Sequence, residues 1–379
     1  MMMEASDDGI VALASNPLGP KISREDALAA MSAFEDAYPR FTTIYDATPR
    51  VTEPYRVGRL NRMTTDPALG YVNLVRYLAG LSHNVVTTEE NNELAQAATV
   101  VNAANDVLSH YPTRPVGMSD ELYRLGAEGA RSSNLGAGNY HVASSVIAGW
   151  LADPGDNNKA DLGHRRWILY PDLSMTGFGF AESDTSGYRY FSAMVATSNY
   201  VGNTGTCVAW PAQTTPVQLV VGSDISEGYP WSFSAGRLIA DPSAVKVTLT
   251  RVYDGKTWSF TKAGGAEGND GELYVSNRNY GDAGCVIFTP KNIDGDEFLY
   301  PYKDGDSFHV HIEGAIDEPI DYTVDFVSQS RNIYDAKLSL GAKAYKFTGQ
   351  PVKPDVTLTC NREPLVEGVD YELELENNL

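Results

Sequence analysis

The stretch Leu162-Gly163-His164-Arg165-Arg166-Trp167-Ile168-Leu169, followed by Met175-Thr176-Gly177-Phe178-Gly179-Phe180, marks where the chain changes its hydrophobic period. Upstream, from 60 to 170, apolar residues recur at helical spacing. Asp66-Pro67 reads as a capping acid before a proline at the first helical position, with Leu69, Val72, Leu74, Val75 and Leu78 following up to Gly80. Thr88-Glu89-Glu90-Asn91 opens a second helix, with Leu94, Ala97, Ala98, Val101, Ala104, Asn105 and Leu108 on its buried face. A third helix runs from about Ser119 and a fourth from Val142 to Leu151. Downstream, Met175–Phe180 and Tyr188–Val195 read as strands. Helices followed by strands within one block of ~150 residues predict an α+β or layered αβα domain.

Toward the N-terminus, Ser23-Arg24-Glu25-Asp26 predicts a capped helix through Ala27, Leu28, Met31 and Phe34 that ends before Pro39. Residues 1–20, broken by Asn16-Pro17 and Gly19-Pro20, read as a mobile leader. From about 205 to 330 short β-branched or aromatic runs alternate with turns. Val217–Val221, Val245–Tyr253, Thr257–Thr261, Cys285–Thr289, Phe308–Ile312 and Tyr322–Val327 predict a β-sandwich. Residues 333–379 form a third strand-like unit. The expected division is a leader and short helix over 1–57, an α/β domain over 58–203, a β-sandwich over 204–331 and a partial β unit over 332–379.

The composition narrows the function. Among 379 residues, 42% hydrophobic and 10% aromatic content suits packed cores. A net charge of −20 argues against a nucleic-acid backbone, which needs a basic surface, and disfavours anionic membranes. No run approaches ~18 consecutive apolar residues, so no transmembrane helix is expected. Met1-Met2-Met3-Glu4-Ala5-Ser6-Asp7-Asp8 has neither the basic nor the apolar region of a signal peptide. Cys207, Cys285 and Cys360 form no CxxC pair. Cys207 and Cys285 lie in one strand-rich region, either as a disulfide or as two buried thiols.

Of six histidines, His110 and His164 sit in informative settings: Asn105-Asp106-Val107-Leu108-Ser109-His110-Tyr111-Pro112 and Gly163-His164-Arg165-Arg166-Trp167. They lie too far apart for an HExxH pair but can meet in space. Asn105 and His110-Tyr111-Pro112, Ser133-Asn134-Leu135, Trp150-Leu151-Ala152-Asp153, Gly163–Trp167 and Gly177–Phe180 follow the order of the CAP superfamily, which holds cysteine-rich secretory proteins, antigen 5 and pathogenesis-related class-1 proteins. Residues 58–203 resemble its bacterial branch. The resemblance implies an αβα sandwich, usually secreted, with a central cleft whose two His and two acidic residues can hold a divalent metal such as zinc.

Residue by residue, it places His110, Ser133, Asp153 and His164 in that cleft. Ser133 stands where the family has an acid, so one carboxylate is missing. His110, His164 and Asp153 are the expected metal ligands, and two imidazoles and a carboxylate suit Zn²⁺ with an open fourth position. Without the second acid, the bound water lacks an evident general base. Glu128 is an alternative acid. A Ser133–His164–Asp153 triad lacks a GxSxG elbow. Arg165-Arg166 reads either as an anion contact or as one internally paired and one solvated arginine. Asp153…Asp156-Asn157-Asn158…Asp161 only loosely resembles a calcium loop. His309 and His311 read as an exposed pair on one strand face.

Ala344–Gly349, Val352-Lys353-Pro354 and Gly368–Leu373 with Asn377-Asn378 resemble an Ig-like repeat of bacterial surface proteins that continues past residue 379. The expected fold class is therefore α+β: an αβα-sandwich CAP domain, an all-β sandwich domain and a partial Ig-like unit. The expected function is a secreted or surface-displayed protein that binds a small-molecule, lipid or peptide ligand, with cell-wall or host-surface contact and no evident enzyme activity. The alternatives are a metal-dependent peptidase at the same cleft and a structural adhesin module. Its export segment is expected to lie outside this sequence.

Overall fold

The computed structural model describes residues 16–155, 157–184, 187–221, 228–262, 270–291, 302–329, 336–342, 344–345, 349–350, 352–360 and 363–375. Helix α1 (Arg24–Ala37) starts at Ser23, whose Oγ accepts the Asp26 N–H at 3.0 Å. A short pair, β1 (Tyr45–Ala47) and β2 (Arg59–Leu60), leads into α2 (Arg62–Leu78). This helix begins earlier than Asp66-Pro67 suggests. Asn61 Oδ1 caps it by accepting the Met63 N–H at 2.9 Å, which leaves Pro67 buried inside the helix. The side-chain cap outcompetes the proline signal, and the helix loses one internal hydrogen bond.

Strand β3 (Val86–Thr87) precedes α3 (Glu89–Ala104), which Thr88 Oγ1 caps through the Asn91 N–H at 3.1 Å. Helix α4 (Asp120–Ser132), capped by Ser119, lies along α3 and feeds strand β4 (Ser133–Ala137). The expected fourth helix is a single turn, α5 (Val142–Ser144), that widens into a π-helix over Ser145–Leu151. Helix α6 (Gly163–Ile168) carries the His-Arg-Arg sequence. Strand β5 (Met175–Thr176) pairs with β3, and β6 (Phe178–Glu182) and β7 (Tyr190–Val195) join β4 in the antiparallel order β4-β7-β6.

The Thr-Gly-Phe-Gly-Phe run shows why this sheet takes a helix on its face. A Cβ at Gly177 would lie 2.1 Å from the Asn91 carbonyl carbon, and one at Gly179 would lie 2.3 Å from Ala95 O. Only glycine lets α3 approach this closely. Gln96 then serves the edge of β6, donating to Phe180 O at 2.7 Å and accepting from Phe180 N at 3.1 Å, while Asn92 accepts from Phe178 N. Polar groups on an open strand edge are satisfied by helix side chains.

The second unit contains two sheets among the described residues. One runs β13-β14-β10-β8, from β8 (Val208–Trp210), β10 (Trp231–Ser234), β13 (Gly271–Ser276) and β14 (Cys285–Pro290). The other runs β12-β11-β15-β16-β9, from β9 (Thr214–Pro216), β11 (Lys246–Arg251), β12 (Thr257–Thr261), β15 (Ser307–Glu313) and β16 (Ile320–Val327). The expected strand over Val217–Val221 is instead a 3₁₀ turn after β9. Trp231 of β10 joins the sheets, with its ring within 6 Å of Phe288, Tyr302, Phe308 and Phe326. A third sheet is antiparallel: β17 (Ala336–Leu340), β18 (Val356–Cys360) and β19 (Glu363–Pro364). Residues 346–348 of the expected repeat motif lie outside the described residues.

Two expectations change. Residues 16–20 are docked, because Asn16 bonds Gln213 at 2.8 Å and Gln213 donates to Gly19 O. Arg24 pairs with Asp304 and Lys21 with Asp325, so the N-terminal segment straps the first unit to the second. Residues 1–15 lie outside the described residues. None of the three cysteines is in a disulfide. Ser234 of β10 pairs with Cys285 on one side and with Val208 on the other, so a whole strand separates Cys285 from Cys207. Two strand spacings of about 4.8 Å exceed disulfide reach.

His141 gives the fold a pH dependence. Its Nδ1 accepts the Ala143 N–H at 3.0 Å and caps α5, its ring stacks on Phe41, and its Nε2 is buried without a partner. Burial pushes its pKa below the ordinary 6.5, against a smaller opposing effect from the Thr42 backbone. The unfolded chain therefore binds the proton first, and stability falls as pH drops below 6.5. Parent protein is expected to lose up to about 1.4 kcal/mol per pH unit in that window relative to His141→Asn, which keeps a capping oxygen. Urea unfolding of both at pH 7.5, 6.5 and 5.5 measures the difference. Parallel curves would rule His141 out.

Candidate functional site

The π-helix sets up the site. It places Trp150 with its Nε1 donating to Leu135 O of β4 at 2.9 Å, and the chain then reaches Asp153 in the left-handed region at φ 52°. Asp153 is fully buried. Its Oδ1 accepts from His164 Nδ1 at 2.7 Å, and its Oδ2 accepts the His164 and Arg165 backbone N–H groups at 3.0 and 3.4 Å. A carboxylate at the start of α6 meets the unsatisfied N–H groups there. Asn134 Nδ2 donates to His164 O at 2.9 Å and ties α6 to β4.

The His164 side chain is 23% exposed. Burial works against its imidazolium, but the charge and hydrogen bond of Asp153 outweigh it and raise the pKa above the ordinary value. This stabilisation is complete below pH 6.5 and is lost as pH rises through the raised pKa. With Nδ1 held by Asp153, the ring presents Nε2 as its open atom. His110 is held in the same way, its Nδ1 donating to Ala130 O of α4 at 2.7 Å. Two imidazoles are thus each fixed through Nδ1, which sets which nitrogen is available.

The expected four residues do not form one cluster of contacts. Asp153 and His164 are joined, while among the described residues His110 bonds Ala130 and none of the other three. Ser133, at the start of β4, is 5% exposed, and its Oγ is buried with no partner. That hydroxyl makes no bond to His164, so a Ser133–His164–Asp153 triad is not assembled. Ser133→Ala is expected to leave stability unchanged or raise it by up to about 1 kcal/mol, because it removes an unsatisfied buried hydroxyl. A loss in a urea titration would contradict this.

Asp153 stands behind His164 rather than as a direct metal ligand. A catalytic zinc takes three protein ligands, but both Asp153 oxygens already serve α6. Among the described residues there is no group of three or more His, Cys, Asp or Glu side chains able to hold a metal, so His110, Asp153 and His164 do not make one. Glu128 is an exposed residue of α4.

Arg165 and Arg166 correct the sequence reading most sharply. Both are buried, and their hydrogen bonds go to backbone carbonyls and serine hydroxyls. Arg165 reaches Pro230 O and Ser232 Oγ in the second unit. Arg166 reaches Ser276 Oγ, Arg278 O and Asp282 O there, with its guanidinium over the Tyr280 ring. Asp161 bonds Ser276 and Arg278 and so belongs to this junction rather than to a calcium loop; Asp156 lies outside the described residues. His309 and His311 are not a bare pair. Both contact Asp321 Oδ1 at 2.9 Å, a partner supplied by the neighbouring strand.

Residues 69–200 match the model of the Cysteine-rich secretory protein family, CAP. The match spans most of α2 through β7 and includes His110, Ser133, Asp153 and His164, which supports a CAP superfamily domain in this part of the chain. None of the curated proteins and none of the solved structures compared matches the chain. No helix among the described residues is long and apolar enough to cross a membrane.

Proposed function

We propose that the chain is a secreted or surface-displayed CAP-domain protein that binds a ligand at the His110/His164 cleft without transforming it. The observation that carries this is the pair of imidazoles anchored through Nδ1, one on a carbonyl and one on a buried carboxylate. Both offer Nε2 to a ligand, and His164 is biased toward the charged donor form, which suits an acceptor or anionic group. Asp153 is committed to orienting His164, the Ser133 hydroxyl has no hydrogen-bond partner, and among the described residues no second acid bonds either imidazole. That combination favours binding over hydrolysis. In this reading residues 204–331 are a β-sandwich domain and residues 332–379 part of an Ig-like repeat, which present the cleft from a cell wall or toward a host surface.

The test is a thermal-shift comparison of the parent with the His110→Ala/His164→Ala double variant. The probes are zinc chloride, a lysophospholipid, a short peptide library and inorganic phosphate. The expected result is a shift with at least one organic probe or phosphate in the parent alone. A shift with zinc alone, lost in the double variant, would restore the metal reading. Peptide cleavage by the parent would overturn the non-enzymatic one. No shift with any probe would leave a structural adhesin module.

A further inference from the structure

We propose that Arg165 is a positioning residue, which locks the Asp153–His164 pair to strand β10 so that the second unit holds the binding centre in shape. The proposal starts from the backbone of Asp153. A non-glycine residue at φ 52° is unfavourable by about 1–3 kcal/mol and persists only where its surroundings fix it. The side chain of Asp153 does not supply that fixing from outside, since all three of its hydrogen bonds go to α6 itself.

Arg165 supplies it. Its Nε donates to Leu151 O at 2.6 Å and its Nη2 to Ala152 O at 3.3 Å, the two carbonyls immediately before Asp153. Its Nη1 donates to Pro230 O at 2.7 Å and to Ser232 Oγ at 3.2 Å on β10. The guanidinium also lies 5.1 Å from the centroid of the Tyr229 ring, whose hydroxyl accepts from Trp210 Nε1. One planar, fully buried group therefore fixes residues 151–152 relative to 230–232. The Arg165 main-chain N–H closes the loop by bonding Asp153 Oδ2. A rigid fork can hold four acceptors on two sides, whereas an ammonium cannot span them.

The inference rests on the reading of His164 as part of the binding centre, but its readout needs no ligand, so the two can fail separately. The experiment is proton–nitrogen NMR of the His164 imidazole in the parent, Arg165→Lys and Arg165→Met. The parent is expected to show a slowly exchanging, downfield Nδ1–H signal. In folded Arg165→Lys it should exchange at least about tenfold faster, and in Arg165→Met it should be lost. A clamp that only stabilises the junction would lower the melting temperature and leave that signal unchanged, and an unchanged signal overturns the proposal. Should neither variant fold, amide exchange in the parent decides. The His164 and Arg165 amides should open in step with those of Trp231–Ser234, and exchange about tenfold faster than β10 overturns the proposal.

Discussion

Asp153→Ala is expected to destabilise the chain by about 3–5 kcal/mol, the cost of leaving three donors at a buried carboxylate without their acceptor. The carboxylate is fully buried and accepts three hydrogen bonds, from the His164 ring and from two N–H groups at the start of α6. Alanine leaves those donors without a partner and places a residue with no polar side chain at φ 52°. Asp153→Asn keeps the shape and one acceptor oxygen, and is expected to cost about half as much. It also withdraws the charge that raises the His164 pKa, so His164 should titrate lower. Urea unfolding gives the energies and NMR titration of His164 gives the shift. A loss under about 1 kcal/mol for the alanine variant would mean that the pair does not hold α6 in place.

Arg76→Met is expected to cost at least about 4 kcal/mol. Arg76 is a fully buried residue of α2 that donates to five backbone carbonyls: Ser82, Ile168, Tyr170, Pro171 and Leu173. Burial pushes its pKa down to about 10, with Asp172 opposing, so it remains charged at neutral pH. Methionine fills much of the volume but withdraws the donor from five carbonyls, of which Tyr170 O keeps the Leu173 N–H; each one left unsatisfied costs about 1–3 kcal/mol before relaxation. Arg76→Lys should also be destabilising, since one ammonium cannot follow the arc of carbonyls from 168 to 173. The same urea titration checks both. A near-neutral lysine variant would show that the charge matters and the fork does not.

Much of the first unit was legible because its signals are local. Ser23, Thr88 and Ser119 each cap the helix that their position predicts, and a cap depends only on a side chain and the N–H groups two or three residues on. Asp66-Pro67 misled for the same reason, as Asn61 offers an equally local cap five residues earlier. The π-helix over Ser145–Leu151 left no mark in the apolar spacing, although it is what delivers Asp153. His110, Asp153 and His164 stand out by residue type and order. Their hydrogen bonds do not, because Ala130 O is a main-chain atom and Ser133 changes its meaning once it is seen to have no partner.

The sequence by itself determined most of the helix starts, the period change after His164 and the ordered motifs that resemble a CAP domain. These follow from side-chain type and short-range spacing, which act before the chain has a tertiary context. Only the tertiary structure decided what the charged residues do. Arg165-Arg166 reads in the sequence as an anion contact or as one internally paired and one solvated arginine, and nothing there marks Arg76. In the fold all three are buried and bonded to carbonyls between 5 and 116 residues away. A buried guanidinium needs acceptors, and backbone carbonyls are present at every position. Which of them converge on it is therefore fixed by packing alone.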